Sequence, residues 1–313
     1  MKLTQTLVLM LKGCAMGMAD VVPGVSGGTI AFISGIYEEL IASIRNVDLT
    51  ALKDLVHGRF RRCWAHVNGT FLLPVLLGVA LSILSLAKVM TFLLKFYPIQ
   101  IWSFFFGLII ASAFLVSKQI TRWSWREGAA AVVGIAVAWW ITVATPAETP
   151  DDWWFIMLSG AIAICAMILP GISGAFILLL LGKYQYIMSA VGALDIPVMA
   201  VFMGGAGVGI IAFSHLLSWL LKNYHNVTIA LLMGFMLGSL NKVWPWKHTL
   251  ESILDKHGNA LPVVQENITP HQFTELTGAD SCLLQAIALC IVGLVTIYAI
   301  ELAARILLKK REQ

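Results

Sequence analysis

Apolar positions along this chain run in long, nearly unbroken blocks, without the alternation of a half-buried strand or the three-to-four spacing of a surface helix. Six blocks approach the roughly 20 apolar residues that carry a helix across a bilayer: Phe71 to Met90, Ile99 to Ser117, Gly128 to Thr145, Pro197 to Leu221, Thr228 to Val243 and Cys282 to Leu308. Two further apolar stretches are interrupted. Ala19-Asp20-Val21-Val22-Pro23-Gly24-Val25-Ser26-Gly27-Gly28 recurs about 147 positions later as Ala166-Met167-Ile168-Leu169-Pro170-Gly171-Ile172-Ser173-Gly174-Ala175, and Gly35 and Tyr37 answer to Gly182 and Tyr184.

Proline removes a backbone donor and collides with the preceding turn, while glycine accepts dihedrals closed to other residues, so each copy is expected to break a helix. Irregular backbone at membrane depth survives only against protein or a watery cavity. Breaks in corresponding positions of two halves point to a transporter's binding site. A second similarity pairs Phe92-Leu93-Leu94-Lys95-Phe96-Tyr97 with Trp219-Leu220-Leu221-Lys222-Asn223-Tyr224, and Phe106 to Ser112 with Met233 to Ser239, at a spacing of about 127. The second half is therefore shorter by about 20 residues, the length of a basic segment at 45–66.

These patterns predict an all-α polytopic membrane protein of two inverted-topology repeats, each a re-entrant helix hairpin followed by about three transmembrane helices. The first repeat is 1–147, with its hairpin at 5–44 and a basic cytoplasmic loop at 45–66. The second is 148–313, with its hairpin at 153–191 and an outer loop at 245–280. A hairpin limb such as Thr29 to Ile44, ~16 residues and ~24 Å long, passes mid-membrane without spanning comfortably. The alternative is a pair of full spans whose glycines only aid packing, which is also the reading for Gly205 to Gly209.

Composition fits. The chain is 59% hydrophobic and 12% charged, against about a quarter charged in soluble domains. Lys12 interrupts the apolar start, so Met1 onward reads as mature sequence with no cleaved leader. Five cysteines without C-x-x-C spacing indicate neither a disulfide framework nor a zinc site, and His248, His257 and His271 lack ligand spacing.

Basic residues assign the sides. Arg45, Lys53, Arg59, Arg61 and Arg62, then Lys118, Arg122 and Arg126, and finally Lys309-Lys310-Arg311 mark cytoplasmic segments. Glu148, Asp151, Asp152 and the acidic 248–280 stretch mark the outer side. Both termini are then cytoplasmic. The basic 45–66 segment is a topology signal, with anionic membrane lipids as a second partner; no nucleic acid and no cofactor is expected. Trp102, Trp123, Trp125, Trp153, Trp154, Trp244 and Trp246 fall at span ends, where interfacial belts form.

The restarted helices, near Thr29 and near Phe176, begin with unpaired N–H groups suited to an anion. Ser26 and Thr29 add hydroxyls, Gly27 and Gly28 allow close approach, and Ser173 and Gly174 are the counterparts, so a phosphate or carboxylate between the motifs is the expected ligand. Ser26 and Ser173 acting only as helix caps is the competing reading. Ionisable groups at membrane depth are costly and usually functional. Asp20 and Glu38 are the candidates for carrying H+ or Na+; Glu39 is read as facing water. Lys183 and Arg45 are candidates for the phosphate, with snorkelling as the alternative. Lys88 and His215 occupy equivalent late positions in two spans, and Glu301 with Arg305 reads as a structural pair.

Gly17-Met18-Ala19-Asp20-Val21-Val22-Pro23-Gly24-Val25-Ser26-Gly27-Gly28-Thr29-Ile30-Ala31-Phe32, followed by Gly35-Ile36-Tyr37-Glu38, resembles the signature of the bacterial polyprenyl-phosphate transporter family. Leu180-Leu181-Gly182-Lys183-Tyr184 resembles the end of that family's second motif, with Ala175 standing where a hydroxyl residue is often found. The resemblance implies a non-enzymatic flippase that returns undecaprenyl phosphate across the bacterial cytoplasmic membrane for envelope synthesis. A small-anion channel or exchanger, and an integral-membrane lipid phosphatase, remain alternatives.

Overall fold

In the computed structural model the described residues are 3–21, 26–144, 146, 149–254 and 260–312. The Pro23-Gly24 break and Glu148 lie outside them, as do the side chains of Lys88, Glu301 and Arg305.

The chain is mostly helical. Its first half runs α1 (Leu3–Val21), α2 (Gly27–Ile33), α3 (Tyr37–Arg45), α4 (Leu49–Val56), α5 (Phe60–His66), α6 (Gly69–Phe96), α7 (Pro98–Ser117) and α8 (Trp125–Val143). The second runs α9 (Trp153–Ile168), α10 (Gly174–Leu180), α11 (Tyr184–Ala193), α12 (Ile196–Asn223), α13 (His225–Val243), β1 (Lys247–Leu254), β2 (Ala260–Asn267), α14 (Pro270–Thr277) and α15 (Leu283–Glu312). Among the described residues, four helices are long and apolar enough to cross a membrane, or up to six if bent pairs count as one span each. This is a multi-pass membrane protein.

Element order and local geometry repeat between the halves. Tyr97 and Tyr224 turn the corner between consecutive long helices with φ/ψ of −132°/48° and −134°/47°. α1 packs on α6 as α9 packs on α12, and the second crossing of each half packs on the third crossing of the other, α7 on α15 and α13 on α8. Glycine permits these approaches. A Cβ at Gly205 would stand 1.8 Å from the Met157 carbonyl oxygen, so the α9–α12 contact has no room for a side chain there.

One sequence expectation is corrected and two segments gain detail. The limb Thr29 to Ile44 is not one helix, because α2 stops at Ile33 and Gly35 takes φ +71°; Gly182 does the same in the second half at φ +64°, where α10 and α11 meet at 114°. Both turns close identically, Ile36 N–H to Ala31 O at 3.0 Å and Lys183 N–H to Leu178 O at 2.9 Å. A helix can end on a left-handed glycine at little cost, and apolar composition alone does not reveal that stop. Each hairpin therefore has a long limb (~28 Å for α1) and a short return limb (~10 Å for α2). Next, 45–66 holds two short helices, α4 capped by the Asp48 carboxylate on the Thr50 and Ala51 amides at 2.8 and 2.9 Å. Finally, the 245–280 segment carries an antiparallel β1–β2 hairpin on the otherwise helical chain.

The second return limb comes back to the start of α9. Thr149 Oγ1 donates to Leu181 O at 2.5 Å, and the Lys183 ammonium donates to Thr149 O at 2.7 Å. In the first half Lys12 Nζ of α1 donates to Ser34 O at 2.6 Å.

Candidate functional site

The described residues of the two motifs lie together in the largest buried cluster, which includes Ala19, Ala31, Phe32, Ala166, Ile168, Ile172 and Phe235. Leu169 is extended, as the residue before a proline must be, and Gly171 turns at φ +87° with no room for a Cβ against Phe235 O, 2.8 Å away. Three bonds tie the motifs together. Ser26 Oγ donates to Met167 O at 2.9 Å, the Gly171 amide donates to Thr29 Oγ1 at 2.9 Å, and Tyr37 OH donates to Ile168 O at 3.2 Å. Ser26 and Thr29 are 1% and 0% exposed.

The donor groups are used asymmetrically. In the first motif the Gly27 amide donates to Asp20 Oδ1 at 2.7 Å, the Gly28 amide to Ser26 Oγ at 3.1 Å and the Thr29 amide to Ser26 O at 2.9 Å. Asp20 thus places a carboxylate where an external anion would otherwise meet the chain. Ser26 is a helix cap and a link to the other motif at once. In the second motif, the side chain of Ser173 makes no capping bond, and the amides of Gly174, Ala175 and Phe176 have no hydrogen-bond partner among the described residues. The open donors lie on the copy whose sequence looked poorer.

The remaining candidates lie elsewhere. Lys183, 2% exposed, ion-pairs with Asp151 and lies 5.6 and 5.8 Å from the ring centroids of Phe155 and Tyr186. It does not snorkel. Its ammonium binds the start of α9, which is how the return limb is anchored. Asp151→Asn is expected to leave that buried ammonium short of charge and to cost on the order of 2 kcal/mol, moderated by the exposure of Asp151. Adding Lys183→Met should recover much of the loss, which thermal melting of the single and double variants reads directly.

Arg45 closes α3, half-buried. Glu38 and Glu39 are both exposed; Glu38 pairs with His225 across the halves at 3.2 Å, and Glu39 accepts from Asn68 Nδ2 at 3.0 Å. His215 is exposed on α12 with Nδ1 on Ile211 O at 2.9 Å. Among the tryptophans, Trp123, Trp125, Trp153 and Trp154 are exposed as a belt requires. Trp246 is buried and donates to Ser281 O at 2.9 Å, and Trp244 donates to Ile268 O at 2.9 Å, so both fasten the 245–280 segment to the helices. No group of three or more metal-ligating side chains occurs among the described residues.

Comparison with known proteins agrees with the motif reading. Residues 16–261 match the family described as undecaprenyl phosphate translocase-like. The chain is 44% identical over 291 residues to the polyprenyl-phosphate transporter of Vibrio cholerae serotype O1, covering 93% of this chain and 94% of that relative. It is 33% identical over 253 residues to the polyprenyl-phosphate transporter of Staphylococcus aureus, covering 75% of this chain and 85% of that relative. No solved structure matches the chain. With most of its length matched and its paired motifs intact, the chain belongs to the undecaprenyl phosphate translocase-like family.

Proposed function

We propose that this protein is a flippase for undecaprenyl phosphate in the bacterial cytoplasmic membrane, moving the lipid headgroup between leaflets by alternating access of two inverted halves. The observation that carries the reading is the direct bonding of the two motifs, Ser26 to Met167, Gly171 to Thr29 and Tyr37 to Ile168. A contact made of few polar bonds at the centre of an apolar core is the kind of bistable element that alternation needs. The headgroup enters between the motifs, first meeting Ser173 and the open amides from Gly174 onward. The donors of Ser26 to Thr29 join once Asp20 gives up the Gly27 amide. Protonation of Asp20 weakens its bond to that amide, so a proton is the coupling ion this geometry favours; Glu38, exposed and paired with His225, is the lesser candidate. The isoprenoid chain stays in lipid throughout.

Bonds between the halves support the inverted arrangement. Glu38 with His225 and Thr121 with Asn226 join segments that the charge pattern places inside. Gln100 with Gln285 and Asn241 with Thr142 join segments that it places outside. With both termini inside, every one of these pairs lies on a single side of the membrane.

The test is transfer of labelled undecaprenyl phosphate between leaflets of liposomes holding the purified protein. Wild type should accelerate transfer and Ser173→Ala should slow it by about tenfold, the loss of one charge-assisted bond. Transfer no faster than in empty liposomes would overturn the proposal. Chloride flux without lipid transfer would favour a small-anion pathway, and release of phosphate from the lipid would mark a phosphatase.

A further inference from the structure

Two lysines at the end of α13 have no counter-charge among the described residues. Lys242 lies in its last turn and Lys247 opens β1. Lys242 Nζ sits 4.2 Å from the centroid of the Phe176 ring, Lys247 Nζ sits 4.7 Å from that of Trp102, and the Lys247 ammonium also donates to the Lys242 carbonyl. Neither makes an ion pair among the described residues. Burial, with Lys242 close by, pushes the Lys247 ammonium down to about 7.

Aromatic faces restore only part of the hydration an ammonium loses on burial, and two like charges held side by side oppose each other. Lys183 shows the structural solution in this same chain, a buried lysine matched by Asp151. Lys242 and Lys247 are half-buried and have no such match among the described residues, a match that an anion would provide.

The surroundings suit a phosphate carried on an apolar chain. Asn267, opposite Lys247 in the β hairpin, donates through Nδ2 to both Asn241 O and Asn241 Oδ1 at 2.8 Å, and Asn241 Nδ2 donates to Thr142 Oγ1 at 2.7 Å. Beyond these amides opens a cavity of about 290 Å³ whose apolar wall is formed by Phe106, Ile135, Trp139, Leu237 and Trp244. Trp139 is 53% exposed on α8. Phe176, which Lys242 covers, lies in the first turn of α10, so the lysines border the second Pro-Gly motif.

We propose that Lys242 and Lys247 form a phosphate-monoester site at the outer mouth of the protein, which captures the lipid headgroup before it reaches the motifs, with the neighbouring cavity taking the first part of the chain. This rests on the lipid-phosphate reading above and adds two residues which that reading does not use. A phosphate monoester carries close to two negative charges near neutral pH, and two ammoniums answer them. A neutral polyprenol offers the lysines nothing.

The full-length protein in lipid nanodiscs tests the site. Binding of undecaprenyl phosphate, undecaprenol and inorganic phosphate is measured for wild type, Lys242→Gln, Lys247→Gln and, as a control on the opposite side, Lys222→Gln, with thermal melting in parallel. Each of the two site variants should weaken undecaprenyl phosphate binding by about tenfold or more. Their melting temperatures without ligand should hold or rise, because an unmatched cation has been removed. Lys222→Gln should bind as wild type, undecaprenol should not distinguish the proteins, and Lys247→Arg should retain binding. Wild-type affinity in both Gln variants overturns the site while leaving the lipid reading intact, as does a fall in melting temperature with affinity unchanged. Lysine-dependent binding of inorganic phosphate alone keeps the anion site and overturns the lipid reading. A wild type that binds neither phosphate overturns both.

Discussion

Gly28→Val is expected to abolish lipid transfer while the protein still inserts in the membrane. A Cβ at position 28 would lie 2.4 Å from the Ile168 carbonyl oxygen and 3.1 Å from Ser26 Oγ. That carbonyl accepts from Tyr37 OH at 3.2 Å and belongs to the last turn of α9, so it cannot swing aside cheaply. The motifs must separate, and the bonds of Ser26 to Met167, Gly171 to Thr29 and Tyr37 to Ile168 go with them. At about 1 kcal/mol each, three lost bonds come to roughly 3 kcal/mol, or about 100-fold in rate if the closed contact is a required state. Gly204→Val is the control, since a Cβ there meets nothing within 4 Å. Lipid transfer in liposomes should be lost in the first variant and kept in the second.

Asp20→Asn carries the second largest effect. Its carboxylate takes the Gly27 amide at 2.7 Å, and its other oxygen lies where a Cβ at Gly27 would be 2.5 Å away, so the carboxylate fits tightly over the start of α2. Asparagine keeps an oxygen acceptor at that place but neither ionises nor takes up a proton. Stability should therefore change little, while transfer falls by about tenfold or more and stops responding to an imposed proton gradient. Transfer that stays proton-driven in Asp20→Asn would move the coupling role to another group.

Much of this architecture was legible in the chain because duplication repeats its own evidence. The recurrence of Pro23-Gly24 as Pro170-Gly171 pointed to matched helix breaks, and α9 does end at Ile168 with α10 restarting at Gly174; the charge at 118–126 and 151–152 is the basis for the expected alternation of sides. Gly35 and Gly182 were visible as a matched pair, yet a single glycine in an apolar run is equally at home inside a helix, so the second stop in each hairpin went unread. The bonds of Ser26, Thr29 and Tyr37 to the opposite motif use its backbone carbonyls and an amide, which no side-chain identity encodes. Trp244 and Trp246 have the same composition signature as belt residues. Only the fold sets them apart, packing Trp246 with Ile99 and Ala286 and bringing Trp244 to the Ile268 carbonyl. Lys242 and Lys247 escaped for a related reason: charge was summed by segment, and the aromatic partners Trp102 and Phe176 come from distant parts of the chain.

The opening and closing of the central contact can be measured by cross-linking. In a protein whose cysteines at 14, 63, 165, 282 and 290 have been replaced, Thr29→Cys with Ile172→Cys puts a thiol on each motif, beside the bond between Thr29 and Gly171. The account predicts that oxidation joins them, that the transfer retained by the reduced double variant stops, and that reduction returns it to that level. Failure to cross-link, or transfer continuing undiminished in the fully joined protein, would contradict a mechanism in which these two motifs meet and part around the headgroup.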